Sequence, residues 1–158
     1  MAFPGTETDG QAQPKNYLSD WLQYVVPQWV ARRAITVSVR TVGTEFSPGE
    51  PVPIVATFHN RLPFPILLQT PQRRLWGWKV DDYLEASDER RYTRDEGNEL
   101  LFGAGEAIRL TFEWNGTIKK SDTLNRWVTA RPGTHTIEVF IPAVGGSISD
   151  RTEILITG

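Results

Sequence analysis

Residues 105–116 read GEAIRLTFEWNG, and this stretch constrains the fold more than any other. Ile108, Leu110, Phe112 and Trp114 fall on one side of an extended chain, and Arg109, Thr111 and Glu113 fall on the other. A period of two marks a strand with one face in a core and the other in water. Turn chemistry flanks it, with Gly103-Ala-Gly-Glu106 before and Asn115-Gly116 after. The rest of the chain reads as partners for this strand.

Similar alternation recurs along the sequence. Ile35, Val37 and Val39 alternate with Thr36, Ser38 and Arg40. After the turn Phe46-Ser-Pro-Gly-Glu50, a second strand runs from Val52 to His59, with Pro53 suited to an edge or a bulge. Ile66 to Gln69, Arg74 to Val80, Leu100 to Phe102, Thr134 to Pro142 and Ile148 to Thr157 follow, the last two joined by a hairpin at Val144-Gly-Gly-Ser147. Asp81 to Glu99 is a long polar loop, and Thr117 to Arg126 a second polar connection. About seven or eight short strands with turns between them predict an immunoglobulin-like antiparallel β-sandwich in a mainly β domain.

The 158 residues suit one domain with an appended element. A net charge of -2 leaves no basic footprint for nucleic acid. Cysteine is absent, which removes disulfides and thiolate metal sites and fits a cytoplasmic setting. No segment reaches the roughly 18 apolar residues of a membrane span. Residues 1–15 contain no apolar run, so they read as a disordered lead-in rather than a secretory signal.

Residues 16–33 follow a different rule. Leu18, Trp21, Leu22, Val25, Val26, Trp29 and Val30 recur at helical spacing and form one stripe of an amphipathic helix. Arg32 and Arg33 suit its negative end. Pro27 opposes it, at a cost of about 3 kcal/mol in a helix interior, so a kink or break is expected near Gln23 to Val26. The sandwich then occupies 34–158. The polar face of the stripe carries Ser19, Asp20, Gln23, Tyr24 and Gln28, which is not the basic face of a membrane-surface helix. Docking on its own domain or on a protein partner remains, with Trp21 and Trp29 as anchors.

The order of these features is similar to the BsuPI-type intracellular proteinase inhibitor domain. The carriers are Asn60 after an early strand, Gly105-Glu106 before a strand ending in Trp114, and the turn Pro132-Gly133-Thr134 before a late strand. His135 stands where that family has an aromatic residue. The resemblance spans about residues 34–142 and implies a non-catalytic immunoglobulin-like sandwich, with a protease as one conceivable partner. No residues match an inhibitory loop.

Candidate sites are few. His59 and His135 read as surface or rim histidines near strand ends, since no nucleophile-elbow motif accompanies them. Asp81, Asp82, Glu85, Asp88 and Glu89 could gather a hard cation, but their spacing is not that of an EF-hand. The bland reading is a solvated charged loop, so no metal site, no cofactor site and no catalytic residue is assigned. Trp76 and Trp78 share a strand face, so with Trp114 they offer either core packing or a stacking surface, and one of them exposed beside Phe64 would favour the stacking surface. Asn115-Gly-Thr117 reads as a turn. The expected function is a non-catalytic protein-binding or structural module whose helical arm self-associates or binds a partner. The residues assigned to that contact are Leu18, Trp21, Leu22, Val25, Trp29, Phe64, Trp76 and Trp78. Protease inhibition and a metal enzyme built on 81–99 are the alternatives.

Overall fold

A computed structural model describes residues 26–71, 75–83, 99–120 and 126–158. The helix α1 covers Gln28–Ala34, and strands follow at β1 (Ile35–Thr41), β2 (Glu45–Phe46) and β3 (Val52–Asn60). Next come β4 (Ile66–Gln69), β5 (Gly77–Val80), β6 (Glu99–Phe102) and β7 (Ala107–Trp114). The remainder are β8 (Thr117–Lys120), β9 (Arg126–Thr129), β10 (Gly133–Ile141) and β11 (Ile148–Ile156). The chain is thus mainly β, with eleven strands among the described residues where alternation alone predicts seven or eight.

Two larger sheets carry the core. One has the order β1-β3-β7 and is antiparallel throughout. The other has the order β2-β11-β10-β5, antiparallel except for the parallel pair of β2 and β11. Strand β1 lies beside β11, so the two sheets meet along that line. A hydrogen bond links them, from the Val39 N–H to Asp150 Oδ2 at 2.9 Å. Short two-stranded sheets, β4-β6 and β8-β9, complete the set.

Alternation does what period two requires. Ile54, Ala56 and Phe58 on β3 and Ile137, Val139 and Ile141 on β10 enter a single buried cluster with Trp114, Ile154 and Ile156. Each large apolar side chain removed from water contributes about 1.5–3 kcal/mol. Pro53 does not mark an edge, because β3 is the middle strand of its sheet. It is tolerated because it lies one residue past the end of the β1 pairing, where its carbonyl still accepts the Val42 N–H.

Two turns share one design. In Phe46-Ser-Pro-Gly-Glu50 and Phe102-Gly-Ala-Gly-Glu106 the Phe is buried and the fourth residue is a glycine with positive φ, 77° at Gly49 and 62° at Gly105. That backbone region is open to glycine at little cost, and in the first turn Pro48, with its own φ preset by its ring, precedes the glycine. In both turns the Glu N–H donates back to the carbonyl three residues earlier. Its carboxylate then accepts the N–H of that same residue, Ser47 at 2.7 Å and Gly103 at 2.6 Å. Each turn launches a strand of the same sheet, β3 and β7.

Of the stripe from Leu18 to Val30, the described part is non-helical at Val26 and Pro27, and helix begins at Gln28. Pro27 lacks an N–H and disfavours helical geometry at the residue before it, so it serves as the boundary, with ψ at 145°. Residues 16–25 lie outside the described residues. The polar stretch from Thr117 to Arg126 is not a plain connection. Its ends pair as β8 and β9, from Thr117 opposite Thr129 to Lys120 opposite Arg126.

Candidate functional site

The surface around α1 is built from the helix outward. Ala31 and Ala34 are buried, while Arg32 and Arg33 occupy the last turn, where positive charge complements the dipole. The Arg61 guanidinium donates to the Arg33 carbonyl at 2.7 Å, and the Arg61 N–H donates to the Ala34 carbonyl, so the loop after β3 caps the helix. Gln28 at the other end acts as a latch. Its Nε2 donates to the Leu67 carbonyl at 3.1 Å, and its Oε1 accepts the Gln69 N–H at 2.9 Å. One side-chain amide thereby reproduces the pairing that another strand would give β4, which covers an otherwise open edge. The helix is docked on its own domain.

Trp29 points away from that contact. It is 59% exposed, with the Arg33 guanidinium 5.7 Å from its ring centroid. Phe64 is also exposed. Its carbonyl is held by the buried Asn60, whose Nδ2 donates to Phe64 and Gly103 carbonyls, both at 2.9 Å, and whose Oδ1 accepts the Leu62 N–H. Trp76 and Trp78 are buried and form no exposed stacking surface. Trp76 packs between Phe58 and Phe112 at centroid distances of 5.7 and 5.5 Å, and Trp78 lies 5.0 Å from Phe112. Leu18, Trp21, Leu22 and Val25 lie outside the described residues.

A second constellation was hidden by sequence distance. His135 is not a surface histidine, being 8% exposed at the start of β10. Its Nδ1 meets Asp81 Oδ2 at 2.5 Å and its Nε2 meets the Arg131 carbonyl at 2.6 Å. Asp81 also grips the backbone of Thr136, accepting its N–H at Oδ1 and donating its own N–H to the Thr136 carbonyl. Asp81 and Asp82 both adopt positive φ, a conformation that Asp tolerates better than most residues. Nε2 is the nitrogen that would have to take a proton from a nucleophile, and a backbone carbonyl occupies it. The pair therefore fastens the end of β5 to the start of β10. Of the acidic residues considered for a cation, Asp81 is committed to this contact, and Glu85, Asp88 and Glu89 lie outside the described residues. No group of three or more metal-ligating side chains occurs among the described residues.

Residues 23–157 match the model of a family of unknown function, DUF7974. The chain belongs to this family. No curated protein matches this DUF7974 chain. Among solved structures it is similar to the sporulation control protein Spo0M from Bacillus subtilis, at a TM-score of 0.50 and 14% identity, over 79% of this chain and 50% of Spo0M. The alkylpurine DNA glycosylase AlkC from Pseudomonas fluorescens, bound to DNA containing an abasic site analogue, gives 0.45 at 16% identity over 79% and 31%. A β-glucosidase from Listeria innocua in complex with isofagomine gives 0.47 at 17% over 78% and 16%. The chain spans half the length of Spo0M and smaller shares of the two enzymes. The likeness to Spo0M bears on the fold alone. No helix among the described residues is long and apolar enough to cross a membrane.

Proposed function

We propose that this DUF7974 chain is a non-catalytic protein-binding module, an immunoglobulin-like sandwich that presents a helical arm to a partner. Strand order supports the finer fold. Immunoglobulin sheets place strands A, B and E in one layer and C, F and G in the other. Here β1-β3-β7 follows the first pattern and β5-β10-β11 the second. Trp78 on β5 matches the buried Trp of strand C, and His135 near the start of β10 bonds back to Arg131 as the corner tyrosine of such folds does.

Trp29 carries the functional reading. Its helix is latched to the domain by Gln28 and capped by Arg61, so the arm is held in place while this ring faces water. A rigidly mounted Trp beside an Arg is the composition of interface anchors. Trp29→Ser in the full chain tests the reading through capture of binding partners and sizing. Losing such an anchor weakens binding by about thirtyfold, with thermal stability unchanged. Identical capture and sizing by the variant and the parent would refute it.

A further inference from the structure

We propose that the outer edge of β7 pairs with β7 of a second copy of this chain, antiparallel about a two-fold axis through Thr111. The inference rests on the reading that the chain acts through protein contacts, and it names a different surface and a definite partner.

Among the described residues, β7 has β3 on one side and no strand on the other. Its register with β3 runs unbroken from Val52 opposite Trp114 to His59 opposite Ala107, so no bulge interrupts it. It contains neither Lys nor Pro. Bulges, prolines and charged side chains, lysine above all, are the usual guards of an exposed edge; of these β7 carries only Arg109 and Glu113, which the pairing below matches.

The direction of the free backbone groups follows from one bond. The Asn60 N–H on β3 donates to the Glu106 carbonyl, so residues of even number along β7 turn their peptide groups toward β3. Ala107, Arg109, Thr111 and Glu113 therefore turn theirs toward the open edge. With Thr111 opposite its own copy, Arg109 falls opposite Glu113 of the second copy, and Glu113 opposite the second Arg109. All of these are hydrogen-bonded pairs, and on the exposed face two opposite-charge pairs flank a threonine pair. Centring the axis one residue earlier places Arg109 opposite Thr111 and leaves the charges unmatched. On the other face Leu110 meets the second copy's Phe112 at a non-hydrogen-bonded position, where side chains come closest. Ile108, Leu110 and Phe112 pack on the core yet remain half-buried, and an added strand covers them.

Sedimentation of the full chain over a concentration series tests this. The parent forms a dimer. Arg109→Glu places like charges opposite each other twice and weakens it about tenfold. The double variant Arg109→Glu, Glu113→Arg restores it. Thr111→Pro removes an N–H that β3 does not use and that no other described strand faces, so the monomer folds and the dimer is lost. A parent that stays monomeric overturns the proposal, as does a dimer indifferent to these substitutions. If Thr111→Pro fails to fold, loss in the single charge variant and rescue in the double variant decide it alone. Trp29→Ser leaves this dimer intact, so a failed arm and a failed edge give different results.

Discussion

Asn60 shows how much one side chain can fix. It is fully buried at the end of β3, and its amide holds two carbonyls and one N–H from the loop 61–64 and the turn before β7. Asn60→Ala leaves those groups without partners and costs about 3 kcal/mol in urea unfolding. Asn60→Asp is nearly isosteric but turns an acceptor toward two carbonyls, so it destabilises at least as much. Asn60 was legible in the sequence as part of a pattern, but its bonding was not, because Gly103 lies 43 positions away. His135 was harder still. Its partner Asp81 sits 54 positions upstream in a stretch whose charge reads as solvated, and only the fold brings them together. Trp114 was legible because alternation places it inward, and it is 1% exposed.

Legibility at the level of elements followed the contrast between faces. Strands β3, β7 and β10 have one apolar side and were read nearly to their ends. Strands β8 and β9 escaped because β9 is largely exposed, with Trp127 half in water, so no face stands out. Strand β2 has two residues, too short for any period. The helix boundary at Pro27 follows from its chemistry. The latch of Gln28 was not legible, since a glutamine on a polar stripe looks like any solvated residue. Gln28→Ala removes both bonds to β4 and reopens its edge. Hydrogen exchange at the Gln69 amide then quickens by about tenfold, while amides of β10 keep their protection.

For the molecule as a whole, no hydrogen-bonded strand ladder joins the two larger sheets among the described residues. Asp150 on β11 is a charged acceptor for the Val39 N–H of the other sheet. Asp150→Ala lowers the melting temperature by about 5 °C in a calorimetric scan, and Asp150→Asn, whose amide oxygen still accepts, lowers it less. The parallel pair of β2 and β11 has a further consequence. The Thr157 N–H donates to the Phe46 carbonyl across 111 positions of sequence. As a ribosome extends the chain, Phe46 emerges long before the residues that will shelter it, and closing so wide a loop is slow. Until β11 arrives, that ring and the flank of β10 stay uncovered, so the newborn chain passes through a sticky interval that the finished protein no longer shows.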